Sequence, residues 1–225
     1  MAFSQNRERD NSIIYDQILN DPSSLITERT LNPQDQKRNL FQTDYVLPIG
    51  KDARFEAGYR GNFQKNVTDF EIDSLGVSGN WVRNEVYSNL LEYKEYVNAF
   101  YMQYGSKIDK FSYFLGLRFE DSNIEVNSIS SNDYNTKKYN NFFPTATVNY
   151  EFSESSNISL SYSKRINRPR GRFLNPFSSY SSRINIFRGN PDLNPAYTNS
   201  FDLGYLKRWK KVTFNTSAYV NLTDD

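Results

Sequence analysis

The stretch that decides the fold is Phe55-Glu56-Ala57-Gly58-Tyr59-Arg60-Gly61-Asn62-Phe63-Gln64. Apolar or small residues occupy its odd positions, and mostly polar residues occupy its even positions. Successive side chains of a β-strand point to opposite faces, so this period of two predicts a strand with one aromatic face and one wet face. About ten residues is also the length that a tilted strand needs to cross a membrane.

The same alternation recurs in other segments of similar length. It is clear at 111–120, 142–152, from 157, at 198–209 and at 212–221, and weaker at 38–47 and 95–105. With 53–65, these segments make eight predicted strands. The alternation predicts which side chains face lipid. They are Phe55, Tyr59, Phe63, Leu115, Leu117, Val148, Tyr150, Leu160, Tyr162, Leu203 and Tyr205. The opposite face would carry the charges Arg54, Glu56, Arg60, Arg118 and Glu120.

Short and long connections alternate along the chain. Short turns are predicted at 48–52, 106–110, 153–156 and 210–211, and long polar loops at 66–94, 121–141 and 166–197. This layout is typical of an antiparallel transmembrane β-barrel, with short periplasmic turns and long outer loops. Residues 1–35 are polar and unperiodic, and are interpreted as a poorly ordered outer-loop remnant. The barrel segment would then span 36–225.

Composition excludes several classes of function. The 225 residues include no Cys and no His, which removes thiolate sites, disulfides, His-based triads and the usual zinc sites. The net charge of +1 argues against a nucleic-acid partner. We therefore predict no catalytic residue, no metal site and no cofactor, and expect that the protein is not an enzyme. No run of about 18 to 20 apolar residues is present, and the first residues have no signal-peptide core.

Residues 160–205 carry a specific likeness. It rests on Leu160-Ser161-Tyr162-Ser163-Lys164-Arg165-Ile166-Asn167-Arg168-Pro169, Leu174-Asn175-Pro176-Phe177, Gly189-Asn190-Pro191-Asp192-Leu193-Asn194-Pro195 and Ser200-Phe201-Asp202-Leu203-Gly204-Tyr205. These blocks, in this order, resemble the barrel of TonB-dependent outer-membrane receptors, and most of all the outer membrane protein β-barrel family of Bacteroidota. Family members usually have Glu after the last proline of the third block, where this chain has Ala196.

The resemblance implies a location, a function and partners. It implies a bacterial outer-membrane transporter, of which these eight strands are part of a barrel of about 22 strands. Such receptors take up a large ligand such as a siderophore, glycan or peptide. The implied partners are outer-membrane lipid, the receptor's own plug domain and an inner-membrane energy-coupling protein, with room for a surface lipoprotein. Neither a plug domain nor a signal peptide is found in this sequence.

The predicted loop 166–197 is the candidate ligand-binding segment. Three Asn-Pro pairs favour a loop structured by turns, either folded toward the lumen or simply kinked. Aromatic and Arg side chains alternate there, a mixture enriched at binding hot spots. The candidate residues at the outer loop and lumen mouth are Arg172, Phe173, Phe177, Tyr180, Arg183, Phe187 and Arg188. A rival account has the aromatics pack on one another as a lid.

Other interpretations remain open from the sequence. The chain could belong to a passive or structural outer-membrane barrel, or be a soluble all-β carbohydrate-binding module. The alternating acids Asp69, Glu71 and Asp73 could supply oxygen ligands for Ca²⁺, but a solvated strand extension is favoured, since the rest of a binding loop is missing. The arginines of the cluster from Arg165 to Arg172 are expected to bind loop carbonyls and carboxylates rather than nucleic acid.

Overall fold

A computed structural model describes residues 2–16, 26–175, 180–182 and 185–224. Nearly all of these residues lie in β-strands. The strands are β1 (Ala2–Asp16), β2 (Ile26–Ile49), β3 (Ala53–Leu75), β4 (Trp81–Arg83), β5 (Asn89–Ile108), β6 (Phe111–Ser128), β7 (Asp133–Ser153), β8 (Ser156–Asn167), β9 (Tyr180–Ser182), β10 (Asn185–Ile186), β11 (Ala196–Arg208) and β12 (Thr213–Asp224). A single helical turn, α1, covers Gly171–Leu174. Within the described residues, no helix has the length and apolar character needed to cross a membrane.

Ten strands form one antiparallel sheet. Its order is β1-β2-β3-β5-β6-β7-β8-β11-β12, with β4 paired to the outer end of β3, while β9 and β10 form a small separate hairpin. Each strand of the main order therefore lies beside its nearest long neighbour in sequence, as in an up-and-down barrel wall. The eight predicted strands correspond to β2, β3, β5, β6, β7, β8, β11 and β12, and the all-β antiparallel fold class is confirmed.

One end of the sheet carries only short turns. These turns join β2 to β3, β5 to β6, β7 to β8 and β11 to β12, at the four places where the sequence predicts them. Gly50 and Asp109 adopt positive φ angles of 65° and 54°. Gly and Asp tolerate this left-handed conformation better than most residues, which suits tight turns.

Two of the three long loops predicted at the other end, 66–94 and 121–141, are mostly paired strand, whereas 166–197 remains a long connection between β8 and β11. β3 continues to Leu75 and β5 begins at Asn89, so much of 66–94 is paired strand. β6 and β7 pair as far as Ser128 and Asp133, which leaves only residues 129–132 of the predicted loop 121–141 outside the strands. Backbone hydrogen bonds between neighbouring strands can form with polar as well as apolar side chains, so strand pairing continues beyond the membrane band.

Residues 1–35, interpreted from the sequence as a poorly ordered outer-loop remnant, contain paired strand where the structure describes them. Ala2–Asp16 forms β1, which pairs with β2 from Leu40 to Ile26. β1 and the part of β2 that it pairs with lie at the end of the sheet away from the short turns. Backbone pairing orders them, although their polar side chains show no clear alternation.

The register separates two faces along the sheet. Cross-strand pairs link Leu47, Phe55, Tyr104, Leu115 and Ala146 in one continuous row. That row belongs to the outer face, which carries all eleven residues predicted to face lipid, in one consistent register. The five predicted charges, from Arg54 to Glu120, lie on the opposite, inner face.

The outer face changes character along the strands. Near the short turns it is apolar for roughly ten residues per strand, which at about 3.3 Å per residue and a tilt of about 40° gives a band roughly 25 Å high. Farther out, the same face carries Lys65, Lys94, Asp121 and Lys138. The apolar band is the height of a membrane's hydrocarbon layer, so the charged zone lies outside it. Phe63 was predicted to face lipid, but it lies one row farther out than Gly61 and Asp121 and therefore in the charged zone.

The inner face changes the other way, from polar near the short turns to apolar at the outer ends of the strands. Below the band's upper rim it is mostly polar, although Phe143 is buried there, whereas the outer ends of β3, β5 and β6 bury several apolar side chains on this face. Two clusters form there: Phe70 with Ile72, and Leu91, Tyr93, Ile124, Val126 with Leu174. Most of the buried core of the described protein therefore lies beyond the membrane band, beneath a loop.

A candidate ligand-binding loop on the inner face

The chain leaves β8 and folds back against the inner face of the sheet. We call residues 168–175 and 187–195 together the docked loop. Pro169 disfavours helical backbone at Arg168, and Pro176 does the same at Asn175, whose φ and ψ of −81° and 113° end α1 after one turn. Two prolines thus limit the helix and let the chain cross the strands.

Leu174 anchors the docked loop by burial. Its side chain is 2% exposed and packs with Leu91 and Tyr93 of β5 and Ile124 and Val126 of β6. Full burial of a leucine side chain contributes about 2 kcal/mol. Burial in this cluster, outside the membrane band, also raises the pKa of Tyr93 above its ordinary value, so that its phenol stays neutral.

Arg168 anchors the loop by charge. Its Nη2 donates to Glu120 Oε2 at 2.5 Å and to Ser122 Oγ at 2.7 Å, and its Nε lies 3.8 Å from Glu95 Oε1. Arg118 Nε donates to the other oxygen of Glu120 at 2.6 Å. Hydrogen bonds to charged groups are stronger than neutral ones, and those of Arg168 tie the end of β8 to β6 across β7. The longer ion pair with Glu95 adds a contact with β5.

The two arms of the docked loop pair with each other. Gly189 N–H donates to the Asn175 carbonyl at 2.8 Å, and Asn190 N–H to the Phe173 carbonyl at 2.7 Å. A Cβ on Gly189 would lie 2.5 Å from the Phe173 oxygen and 2.6 Å from the Asn175 oxygen. Only glycine allows this approach of the two backbones.

Polar contacts hold both arms to the strands. Asn89 Nδ2 donates to Asn175 Oδ1 at 3.3 Å, and Asn89 Oδ1 accepts from Ser128 Oγ at 2.9 Å, all three residues being buried. On the return arm, Lys137 Nζ donates to the Leu193 carbonyl at 2.7 Å. Asn135 Nδ2 donates to Asp192 at 3.2 Å. The loop is fastened to β5, β6 and β7, so the structure favours a loop folded toward the lumen over a kinked one.

The structure describes only some of the seven predicted ligand-binding residues. Phe173 is 39% exposed and meets Phe187 edge to face, with ring centroids 5.9 Å apart, and Arg188 is exposed. Phe177 and Arg183 lie outside the described residues, as do the side chains of Arg172 and Tyr180, although the backbone of Tyr180 belongs to β9.

The sequence reasoning missed the anchors of the loop. Leu174 and Gly189 entered only as parts of a family likeness, Asn175 also as part of an Asn-Pro turn, and Arg168 as part of the likeness and of an arginine cluster. The contacts with Glu120 and Glu95 agree with the expectation that Arg168 binds carboxylates. A signal was present in the sequence: Leu91 and Tyr93 flank Glu92, and Ile124 and Val126 flank Glu125, which is the alternation of a strand inside segments predicted to be polar loops.

Nearer the short turns, the inner face holds a polar groove. It encloses about 410 Å³, and its lining includes Asp44, Glu56, Arg60, Tyr101 and Arg118. Tyr101 donates to Asp44, and Gln103 to Glu56, which also lies 2.5 Å from Arg54 Nε. Charges of both signs cover this wall and compensate one another locally.

The alternating acids of β3 are engaged by arginines. Arg83 lies 2.9 Å from Glu71 and 3.8 Å from Asp69, and Arg29 lies 2.7 Å from Asp73. Among the residues that the structure describes, no group of three or more potential metal ligands of the His, Cys, Asp and Glu type occurs. The ion pairs agree with the strand extension that the sequence favoured over a Ca²⁺ site.

An antiparallel sheet with an apolar outer band, a polar inner wall and a loop fastened inside is the wall of a transmembrane β-barrel. The chain belongs to the outer membrane protein beta-barrel family, which it matches over residues 1–225. Its location is accordingly the bacterial outer membrane, which excludes the soluble carbohydrate-binding module. A search of the curated proteins found no match.

Solved structures show the same fold. The ferric citrate transporter FecA matches with a TM-score of 0.61 and 14% sequence identity. The match covers 96% of this chain and 34% of the FecA chain. The copper transporter OprC matches at 0.62 and 13%, covering 99% and 35%. The alcaligin outer membrane receptor FauA from Bordetella pertussis reaches 0.46 at 14%, covering 97% and 43%. The chain thus spans about a third of the length of FecA and OprC, both of which are transporters.

Proposed function

We propose that this chain forms part of the barrel wall of a TonB-dependent transporter that takes up a large ligand such as a siderophore, glycan or peptide. The observation that carries the proposal is the docked loop, which Arg168 and Leu174 fasten to the inner face at the outer end of the strands. A loop in this position narrows the mouth and presents side chains to whatever enters. The barrel fold shared with the ferric citrate and copper transporters supports it.

The partners in this proposal follow from the resemblance. They are a plug domain inside the barrel, an inner-membrane energy-coupling protein of the TonB type, outer-membrane lipid and a surface lipoprotein. The mixed charges of the inner groove, among them Asp44, Glu56, Arg60 and Arg118, suit ion pairs with a plug. No catalytic step is part of the function.

Ligand contact is assigned to the exposed side of the docked loop and its hairpin. The proposed residues are Arg172, Phe173, Phe177, Tyr180, Arg183, Phe187 and Arg188. Aromatic and guanidinium groups give large contact areas and charge-assisted hydrogen bonds in a partly dehydrated mouth. The edge-to-face pair of Phe173 and Phe187 supports a preformed aromatic surface, with exposed Arg188 beside it in sequence.

Deleting residues 178–186 in the full-length protein tests the assignment. The anchors at Arg168, Leu174 and Gly189 remain, so the barrel should reach the outer membrane at normal abundance. Accumulation of the transported ligand, found by screening labelled ferric siderophores, oligosaccharides and peptides in cells with and without the gene, should fall at least tenfold. Deleting residues 77–79 from another outer turn is the control. Uptake at the wild-type rate after the first deletion would contradict the assignment.

A passive outer-membrane barrel is the competing function, and energy dependence separates the two. Uptake by an energised transporter should stop when an uncoupler collapses the proton gradient of the inner membrane. Diffusion through a passive barrel would continue at the same initial rate, and that result would overturn the proposal. A known porin substrate in the same cells controls for loss of viability.

A further inference from the structure

Aromatic side chains mark the upper rim of the apolar band on the outer face. Tyr59, Phe100, Phe119 and Phe142 are cross-strand neighbours on β3, β5, β6 and β7. The rings of Tyr59 and Phe100, and those of Phe119 and Phe142, have centroids 5.0 Å apart. Such rows lie at the level of lipid headgroups in outer-membrane barrels.

The next row outward is polar. Asn98, Asp121 and Asn140 follow one another across β5, β6 and β7, beside Gly61 of β3. Tyr59 Oη donates to Asn98 Oδ1 at 2.7 Å. Asp121 and Asn140 are exposed, although they lie on the face that meets lipid only one row below.

These two rows enclose a groove on the membrane-facing side. It measures about 740 Å³ and is lined by Tyr59, Asn98, Phe100, Phe119, Asp121 and Asn140. Asn98, Asp121 and Asn140 contribute amide and carboxylate groups to its lining. The other three lining residues contribute aromatic rings. A cavity of this size and composition has room for sugar rings and their hydroxyl groups.

Lysines lie just beyond the groove. Lys37, Lys65 and Lys94 are direct cross-strand neighbours, and Lys138 pairs with Asn123 one row closer to the groove. Like charges directly opposite each other on a sheet are destabilising unless they are compensated.

Carboxylates compensate these lysines only in part. Glu92 contacts Lys65 and lies 2.5 Å from Lys94, which is 3.9 Å from Glu125. In the part of the chain that the structure describes, Lys37 and Lys138 form no ion pair. The four lysines outnumber the carboxylates of Glu92, Glu125 and Asp121 by one. Asp35, which lies on the same face near Lys37, pairs with Arg7, so a net positive charge remains.

We propose that the groove and these lysines bind the phosphorylated sugar headgroup of a glycolipid in the outer leaflet of the outer membrane. The sugar would contact the rings and hydrogen-bond to Asn98, Asp121 and Asn140, and its phosphate would lie against Lys65, Lys94 and Lys138. Its acyl chains would follow the exposed apolar band beneath, past Met102 and Leu117. Basic side chains beside a membrane attract anionic headgroups. The inference needs the membrane location alone and not the transport function.

Native mass spectrometry of the full-length protein in detergent tests the proposal, with monophosphorylated lipid A titrated as the probe. Each lysine beside an anionic headgroup contributes about fivefold in affinity. The triple variant Lys65→Gln, Lys94→Gln, Lys138→Gln should therefore bind the probe roughly 100-fold more weakly. The matched triple change to Arg should keep binding, and Lys110→Gln, in a short turn at the opposite end of the sheet, should have no effect.

Further probes separate the sources of the charge and the sugar. Dephosphorylated lipid A and phosphatidylglycerol should each bind at least tenfold more weakly than monophosphorylated lipid A, and millimolar inorganic phosphate should not displace it. Phosphatidylglycerol bound as tightly as the probe would overturn the proposal in favour of general attraction to anionic lipid. Equal binding by the wild type and the Gln triple variant, with normal heat-modifiable migration of both, would also overturn it.

Discussion

At the scale of single residues, Leu117 and Gly116 are adjacent in β6 but meet different surroundings. Leu117 lies on the outer face between Met102 and Pro144, and is 40% exposed to what would be lipid. Gly116 faces the inner groove, where an added Cβ would have its closest neighbour at 3.7 Å. Adjacent positions on a strand point in opposite directions, so one step in sequence exchanges lipid for water.

Arginine at these two positions should have unequal effects. Leu117→Arg should lower the free energy of unfolding in lipid vesicles by about 1 to 2 kcal/mol, because the guanidinium would lie in the hydrocarbon layer, one row below the aromatic rim. Gly116→Arg should cost less than about 1 kcal/mol, since the inner groove is polar and can hold the side chain. Urea unfolding of the full-length protein, followed by tryptophan fluorescence, measures both. Equal losses would contradict the assignment of the two faces.

At the scale of elements, the docked loop depends on a few contacts spread over three strands. Arg168 binds carboxylates of β5 and β6, Leu174 fills an apolar cluster on the same strands, and Gly189 lets the two arms pair. Without these contacts, a loop of polar and aromatic residues would have few buried groups to order it. The loop is therefore expected to open locally before the sheet does.

Removing the charged anchor should open the docked loop without unfolding the strands. Arg168→Ala removes hydrogen bonds to ionised and hydroxyl partners worth about 2 kcal/mol, so exchange of the amide hydrogens of Gly189 and Asn190 should accelerate roughly 30-fold. Arg165→Ala is the matched control, because Arg165 is exposed and lies in the same stretch. Hydrogen exchange with mass-spectrometric detection makes the measurement. Unchanged exchange would show that Arg168 is not an anchor.

Gly189→Ala tests the same element through its backbone. The added methyl carbon would lie 2.5 Å from the Phe173 oxygen, so the two arms must separate. Amide exchange at Asn190 should rise as it does in Arg168→Ala. Gly116→Ala, where an added Cβ makes only ordinary contacts, should leave exchange unchanged.

At the scale of the whole molecule, the described sheet is open. β1 pairs only with β2 and β12 only with β11, so each has one free edge. Unpaired N–H and C=O groups are not tolerated in hydrocarbon, and barrels avoid them by closing. This sheet therefore needs further strands to complete a barrel wall.

We accordingly expect that residues 1–225 alone do not form a native closed barrel. After refolding in detergent, the isolated chain should be degraded by protease and should not show the heat-dependent gel migration of a folded barrel. The full-length protein treated in the same way is the control. A protease-resistant, heat-modifiable monomer from residues 1–225 would instead indicate a small barrel that closes on itself.

The sequence predicted the membrane half of this protein well. The alternation of apolar and polar residues, as around Phe55, Leu115 and Leu203, identified eight strands and the faces that meet lipid. It is regular because, within the membrane, every strand has one face toward lipid and the other toward water. The outer half was predicted poorly. There the apolar residues, such as Leu91 and Ile124, change to the inner face, and stretches read as polar loops are paired strands.

For the candidate site, the sequence determined the composition of the loop and its turns, and so pointed to residues 166–197. It could not determine where that loop lies. Its position depends on Arg168 reaching Glu120 and Glu95, and on Leu174 reaching Ile124, across 48, 73 and 50 positions of sequence. The spacing of apolar residues and the composition of a segment reflect only whether that segment meets lipid or water. Contacts between distant residues exist only once the register of the sheet has brought their strands together, so the tertiary structure alone decided that the loop folds inward.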